Sequence, residues 1–197
     1  MNWLAHLLLS EPTPAFRIGN LLPDLVSFSA LSSLPEKYQR GIRQHRQIDA
    51  YTDAHPVFRR SIQRLGPEFR RFGGILIDMF YDHFLSREWK SHSDIPLPDF
   101  TAEVYASFDC HWAEIPEEAH APLQGMREYN WLCCYEEMGD LSVTLDRISQ
   151  RFRRPVDLVS AIPVLEREYD SFRADFEIFF PELTLSISRM SEIEQQE

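Results

Sequence analysis

Cysteine is scarce in this sequence, and the cysteines present do not form a recognisable framework. The 197 residues include three, Cys110, Cys133 and Cys134, of which two are adjacent and none stands in a CxxC spacing. An odd number without paired spacings argues against a disulfide scaffold and against a zinc knuckle. The apolar start, residues 1–9, lacks the basic segment and the small-residue cleavage site of a signal peptide. We therefore expect a reduced, cytoplasmic protein.

Long apolar runs, glycine and the common catalytic motifs are scarce as well. No segment reaches the roughly 18–20 apolar residues that a transmembrane helix requires, so no membrane association is expected. Only 7 glycines occur, and no GxGxxG, P-loop or GxSxG motif is present. The usual signatures of dinucleotide-binding proteins, P-loop NTPases and α/β-hydrolases are therefore missing.

The sequence does contain a series of segments with helical periodicity. Its hydrophobic content of 44% and charged content of 26% are ordinary for a globular chain. No alternating run with hairpin chemistry stands out, so we predict an all-α fold. We expect a single compact domain over residues 1–191 and a frayed polar tail over residues 192–197. The expected helical segments include 36–53, 57–65, 68–89, 99–112, 117–138 and 164–180, the last ended by Pro181.

Positive charge comes almost entirely from arginine, and it is unevenly distributed. The formal net charge of −11 argues against general nucleic-acid binding. Residues 40–71 hold eight arginines against three acids, a local charge of +5, whereas residues 91–140 hold eleven acids against one arginine, a local charge of −10. A second cluster consists of Arg147, Arg151, Arg153 and Arg154. Arginine suits bidentate contact with phosphate and carboxylate, so these stretches indicate an anionic ligand or partner, or else solvated helix faces.

Two of the expected helices carry histidine and aspartate at a spacing of four residues. His45, Asp49 and Asp53 share one helix face, and Asp78 and Asp82 share another. They stand among isoleucine, methionine and phenylalanine, and burying such groups is costly unless they are paired or bind a metal. Like charges at this spacing also repel each other, which calls for a nearby cation. The pattern predicts a metal site, with surface ion pairs and helix caps as the alternative.

Histidine and aspartate ligands suit Mn²⁺, Mg²⁺, Fe²⁺ or Zn²⁺ better than a soft metal. Such an ion lowers the pKa of a bound water and screens the charge that develops on a phosphoryl oxygen. Together with the nearby arginines, the pattern favours hydrolysis of a phosphate ester. Two isolated residues are further candidates, although His6 also fits a hydrogen-bonded core histidine and Asp24 also fits a helix N-cap.

Four blocks of the first 90 residues resemble the acyl carrier protein phosphodiesterase family in order and spacing. They are Asn2-Trp-Leu-Ala-His6, Gly19-Asn20-Leu-Leu-Pro-Asp24, Gly41-Ile-x-x-His45-Arg46-x-Ile-Asp49-x-x-Thr52-Asp53 and Asp78-x-x-Tyr-Asp82-His83-Phe-Leu-Ser-Arg87-x-Trp89. The family is regarded as a non-standard branch of the HD phosphatase and phosphodiesterase group. The resemblance implies an HD-like all-α fold and dependence on a divalent metal, with Mn²⁺ favoured. It also implies hydrolysis of the phosphodiester between 4′-phosphopantetheine and a serine of holo-acyl carrier protein (ACP).

The resemblance and the spacing together indicate roles for individual residues. The expected metal ligands are His6, Asp24, His45, Asp78 and Asp82. Asp49 is expected to orient His45 or the attacking water, and His83 is the other residue expected to act in catalysis. A standard HD protein has adjacent His-Asp, whereas this chain has Asp82-His83.

The substrate is expected to meet arginine side chains. Arg43 and Arg46 are expected to hold phosphate oxygens, and Arg59 and Arg60 belong to the basic stretch expected to dock the acidic ACP. Two other functions stay open: an HD-like phosphatase acting on a small metabolite or nucleotide, and a non-catalytic binding module for an acidic partner. The sequence indicates no particular oligomeric state.

Overall fold

The computed structural model describes residues 1–194, and helices account for most of them. The described range holds eleven α-helices and no β-strand, which confirms the predicted all-α fold; an HD-like arrangement stays a prediction. In chain order the helices are α1 (Trp3–Leu8), α2 (Pro14–Leu21), α3 (Phe28–Ser33), α4 (Glu36–Ala54), α5 (Pro56–Arg64), α6 (Gly73–Arg87), α7 (Leu97–His111), α8 (Glu117–Glu128), α9 (Met138–Ser149), α10 (Ile162–Arg167) and α11 (Tyr169–Glu194). Short 3-10 helices join several of them, including Leu22–Asp24 directly after α2.

Helix α4 is the centre of the fold, because it packs against α2 on one side and α11 on another. Its apolar side chains Tyr38, Ile42 and Ile48 are buried in the core. Helix α1 contacts both α2 and α6, and α11 also contacts α5 and α6. This packing brings α1, the end of α2, α4 and α6 to a common point, where the polar rows of α4 and α6 meet.

The backbones of α2 and α4 touch at two glycines. A Cβ atom at Gly41 would lie 2.2 Å from the carbonyl oxygen of Phe16 and 2.8 Å from the backbone nitrogen of Asn20. A Cβ atom at Gly19 would lie 2.3 Å from the carbonyl oxygen of Tyr38. Only glycine permits this approach, which sets Asn20 directly against α4.

The helix predicted over residues 117–138 is wrong in its second half. Helix α8 ends at Glu128, and Asn130 adopts the left-handed conformation with φ 47°. That backbone reversal turns Trp131 back onto α8, where its ring lies 3.1 Å from the position of a Cβ atom at Gly125. Pro122 lies inside α8 rather than at its start.

The prediction that Pro181 ends the last helix is also wrong. Helix α11 runs from Tyr169 to Glu194 with Pro181 inside it. A proline removes one helical hydrogen bond, but Pro181 stands on the exposed side, where solvent can reach the carbonyl group that loses its donor. The buried side continues past the proline through Leu183 and Ile187, and burying them offsets the cost.

The C-terminal tail predicted over residues 192–197 lies partly outside the described residues. Residues 192–194 belong to α11, whereas residues 195–197 are not among those described. In the part of the chain that the structure covers, no helix combines the length and the apolar character needed to cross a membrane.

The glycine contact predicts a stability difference between two matched substitutions. Gly41→Ala should destabilise the fold by about 1–3 kcal/mol, because its methyl group collides with backbone atoms that cannot move aside. The matched control is Gly74→Ala in α6, where a Cβ atom would meet nothing within 4 Å. Thermal unfolding followed by circular dichroism should show a lower Tm for Gly41→Ala only. Equal midpoints for the two variants would contradict the contact.

Candidate metal centre

Three side chains from α1 and α4 converge at the point where the helices meet. His6, His45 and Asp49 each offer a ligand atom, and these atoms lie within 4.8 Å of one another. The two imidazole rings stack with their centroids 4.3 Å apart. Asp49 Oδ1 lies 3.2 Å from His6 Nε2, and Asp49 Oδ2 lies 3.0 Å from His45 Nε2. Both histidines are buried, whereas the Asp49 side chain is 44% exposed, so the cluster opens to solvent on its carboxylate side.

Asn20, buried in α2, holds both imidazoles from the opposite side. Its side-chain oxygen lies 3.0 Å from His6 Nδ1, and its backbone carbonyl oxygen lies 2.7 Å from His45 Nδ1. Since both oxygens are acceptors, these hydrogen bonds place a proton on each Nδ1 and leave the Nε2 of each ring facing Asp49. Metal-binding histidines are usually oriented by an outer acceptor in this way.

Asn20 is a site residue that was not predicted from the sequence. Its amide nitrogen donates to the carbonyl oxygen of His6, at 3.0 Å, and to Gln44 Oε1, at 2.8 Å, which fixes the orientation of the amide. The available signal was an asparagine inside the apolar run of α2, because a buried amide requires partners.

Asp24 approaches the cluster from the 3-10 helix after α2. Its Oδ1 lies 3.5 Å from His45 Nε2, and its Oδ2 accepts a hydrogen bond of 2.9 Å from Trp3 Nε1. Together with Asp49, it lines a cavity of about 300 Å³. We call this space the carboxylate cavity.

Asp78 enters the carboxylate cavity from α6. Its Oδ1 lies 3.1 Å from the terminal ammonium of Met1, which also lies 3.6 Å from Asp49 Oδ1. Burial raises the pKa of Asp78 to about 6, although the neighbouring ammonium opposes that shift. The structure thus assembles five predicted residues: His6, Asp24, His45, Asp49 and Asp78.

Asp82 lies one helical turn after Asp78 and is fully buried. Its Oδ2 accepts a hydrogen bond of 3.0 Å from the backbone N–H of Leu4, so the carboxylate caps the first turn of α1. Its Oδ1 has no hydrogen-bond partner among the described residues. Burial raises the pKa of Asp82 to about 7. These contacts attach α1, and with it His6, to α6; a role of Asp82 as a metal ligand stays a prediction.

His83 makes both of its ring contacts outside the cluster. Its Nδ1 lies 2.7 Å from the carbonyl oxygen of Tyr135, and its Nε2 lies 2.9 Å from the hydroxyl oxygen of Tyr169. Burial lowers the pKa of His83, which favours the neutral ring. The contacts support a structural part for His83, and its catalytic role stays a prediction.

The electrostatics of the centre favour a cation. Burial by itself lowers the pKa of His45, but hydrogen bonds to Asp24 and Asp49 outweigh it and raise the pKa to about 9. Burial likewise raises the pKa of Asp49, but hydrogen bonds to His45 and His6 outweigh it and lower the pKa. Burial keeps the pKa of His6 below its usual value. The site therefore stabilises positive charge, and its imidazole nitrogens and carboxylate oxygens are ligand atoms that fit a divalent metal ion.

The four arginines predicted to bind substrate have partners outside the carboxylate cavity. Arg43 lies 3.6 Å from Glu36, and the guanidinium of Arg46 lies 5.7 Å from the ring centroid of Phe28. Arg59 donates to the carbonyl oxygen of Asp53, and Arg60 donates to Asp175, each at 2.9 Å. None of the four lines that cavity in the described part of the chain. Their contact with substrate stays a prediction.

A second cavity adjoins the first and is lined by different chemistry. It has a volume of about 270 Å³ and shares Asp24 with the carboxylate cavity. Its walls include Trp3 and Trp131, whose rings stack with their centroids 5.9 Å apart and their planes at 11° to each other. Arg147 and Arg151 also line it. We call this space the tryptophan cavity. The spacing of charges in the sequence indicated a cluster containing both arginines but not its position beside Asp24.

Comparison with known proteins extends the resemblance of the first 90 residues to most of the chain. The family model described as acyl carrier protein phosphodiesterase matches residues 1–183. The chain belongs to this family. It is 30% identical over 188 residues to the acyl carrier protein phosphodiesterase of Pectobacterium atrosepticum, covering 93% of this chain and 95% of that protein. It is 32% identical over 190 residues to the protein of that name from Escherichia coli O6:H1, covering 96% and 98%. No solved structure matches the chain.

The geometry predicts that Asp49, but not Asp53, is needed for metal binding. Asp49→Asn should weaken Mn²⁺ binding by at least about 100-fold, because losing a ligand costs more than the 10–100-fold loss typical of an outer hydrogen-bond partner. Asp53→Asn is the matched control, since Asp53 lies one turn later on α4 and lines the same cavity but does not belong to the cluster of His6, His45 and Asp49. Calorimetric titration with Mn²⁺ measures both affinities. Equal affinities for the two variants would show that the cluster is not the metal centre.

Proposed function

We propose that this protein is a metal-dependent phosphodiesterase that cleaves 4′-phosphopantetheine from holo-ACP. The supporting observation is the convergence of His6, His45 and Asp49 beside a cavity that Asp24 and Asp78 line, in a chain that matches the acyl carrier protein phosphodiesterase family over residues 1–183. The products are apo-ACP and 4′-phosphopantetheine.

The mixed donor set suits Mn²⁺, Mg²⁺, Fe²⁺ or Zn²⁺, and the resemblance to the family favours Mn²⁺ among them. The residues that would hold it are His6, His45, Asp24, Asp49 and Asp78. When bound, the ion stabilises charge on the phosphoryl oxygens and lowers the pKa of a bound water. Asn20 maintains the orientation of the two imidazoles, and Trp3 holds the Asp24 carboxylate through its indole N–H.

Hydrolysis requires a water molecule to attack phosphorus opposite the serine oxygen of ACP. The bond between phosphorus and the serine oxygen breaks, the phosphate gains the oxygen of the water, and one proton of the water ends on the serine hydroxyl. Asp49 is suited to orient that water, because its carboxylate combines contacts to both imidazoles with exposure to solvent. The exposed side also leaves room for a protein substrate to approach.

The reaction is tested directly on the proposed substrate. Holo-ACP incubated with the protein and Mn²⁺ should lose the mass of its prosthetic group, as measured by mass spectrometry, and a chelator should prevent the loss. Asp49→Asn should abolish cleavage, whereas Asp53→Asn should retain it. Binding of holo-ACP without cleavage would favour a binding module instead, and activity on nucleotides alone would favour a small-molecule phosphatase.

Docking of the acidic ACP on a chain of net charge −11 requires a local basic surface. Several arginines of residues 40–64 already pair with acids: Arg40 with Glu11, Arg43 with Glu36, and Arg60 and Arg64 with Asp175. By contrast, within residues 1–194 no acid pairs with Arg147, Arg151, Arg153 or Arg154. We propose that this second cluster faces ACP beside the metal centre and that the basic stretch 40–71 extends the docking surface.

The docking model predicts a dependence on salt and on the location of charge. Added salt should raise the KM for holo-ACP and leave kcat nearly unchanged, because it screens association rather than the chemical step. Arg154→Glu should raise KM several-fold more than Arg59→Glu, although both variants change the net charge equally. Steady-state kinetics at several salt concentrations measures both effects. Turnover that is insensitive to salt would contradict the model.

A further inference from the structure

The tryptophan cavity differs in chemistry from the metal centre that it adjoins. Asp24 and the apolar residues Ile75, Met79 and Ile148 line both cavities, whereas the two tryptophans and the two arginines line only the tryptophan cavity. A volume of about 270 Å³ approaches the lower end of the range of small-molecule pockets, and the carboxylate cavity continues it. A ligand whose phosphate lies at the metal centre would therefore have space for an attached chain.

The aromatic wall of the cavity has an unfilled hydrogen-bonding capacity. The Trp131 ring packs on Gly125 and stacks against Trp3, which fixes its position. Its Nε1 is buried and has no acceptor among the described residues. Leaving a buried donor unpaired is costly, and a carbonyl oxygen of a bound ligand would supply an acceptor.

The two arginines of the cavity are placed by aromatic rings rather than by carboxylates. The guanidinium of Arg151 lies 5.9 Å from the ring centroid of Trp131, and that of Arg147 lies 5.3 Å from the ring centroid of Tyr129. Contact with a ring face leaves the N–H donors of a guanidinium available to other acceptors. The cavity therefore combines apolar walls with several donors and has a single carboxylate, Asp24, at one end.

We propose that the tryptophan cavity binds the pantetheine arm of the substrate, an inference that rests on the proposed function. Beyond its phosphate, this arm is an uncharged chain with methyl groups, a hydroxyl group and two amides. Its methyl groups suit the apolar walls, and its amide oxygens can accept hydrogen bonds from the indole and guanidinium N–H groups of the cavity. With the phosphate at the metal centre, the arm lies along the wall that Trp3 and Trp131 form, and Arg147 and Arg151 donate to its amide oxygens. The competing occupant is the ACP segment that carries the serine, because a peptide also presents amides.

Free pantetheine separates the arm from both the phosphate and the ACP chain. Calorimetric titration of the full-length protein with reduced pantetheine, in the presence of a chelator, should show saturable binding. Trp131→Ala and Arg151→Gln should each weaken it by about tenfold, the loss expected when an important contact is truncated. Because Trp131→Ala removes packing, circular dichroism must confirm its fold, and Trp131→Phe should show a smaller loss in the same direction.

Arg153→Gln is the charge-matched control. Arg153 belongs to the same cluster but lines a different cavity, together with Arg71 and Arg154. It should leave pantetheine affinity unchanged. Equal losses in Arg151→Gln and Arg153→Gln would overturn the proposal.

Two other outcomes also overturn the inference. One is a folded wild-type protein that does not bind pantetheine. The other is a protein that binds inorganic phosphate through Arg151 but does not bind pantetheine, which would make the cavity a phosphate site.

The test separates this inference from the proposed function. If pantetheine binds but holo-ACP stays intact with Mn²⁺, the proposed phosphodiesterase activity fails and the cavity assignment stands. If holo-ACP is cleaved, pantetheine does not bind and Trp131→Ala leaves KM unchanged, the activity stands and the cavity assignment fails.

Discussion

The geometry of the candidate metal centre depends on the contact between the backbones of α2 and α4. Gly19 and Gly41 allow the two helices to touch, and Asn20, the residue after Gly19, then reaches His45 with its backbone and His6 with its side chain. One residue of α2 thus sets the direction of two imidazoles from two other helices. A wider separation of α2 and α4 would release both rings, even with every histidine and aspartate still in place.

A second constraint comes from the acids of α6. Asp78 and Asp82 are four residues apart, a spacing suited to two ligands of one metal ion, yet their contacts differ. Asp78 lines the carboxylate cavity, whereas Asp82 accepts a hydrogen bond from the backbone N–H of Leu4. Burial raises the pKa of both, so neither is an ordinary surface carboxylate. The hydrogen bond from Leu4 to Asp82 holds α1 against α6 and so helps to place His6, which α1 carries.

The helices and most of the candidate ligands could be predicted from local patterns. The segment predicted over residues 36–53 is α4 almost to the residue, because its apolar spacing and its flanking prolines act within one helix. The prediction that α11 ends at Pro181 was wrong because the buried side of the helix continues beyond the proline, and that burial depends on tertiary packing. The positions of Asn20, Trp3 and Trp131 in the site could not be predicted, because their contacts are made with residues distant in sequence. Charge counts alone likewise could not show that Arg60 pairs with Asp175 in α11.

Trp3 belongs to both compartments of the site. Its ring forms a wall of the tryptophan cavity, and its indole N–H holds the carboxylate of Asp24. A displacement of the ring would also move the hydrogen bond that holds the Asp24 carboxylate, so a single side chain connects the two cavities. If the substrate chain seats against that ring, part of its binding energy would act at the reacting bond, so that recognition would contribute to rate as well as to affinity.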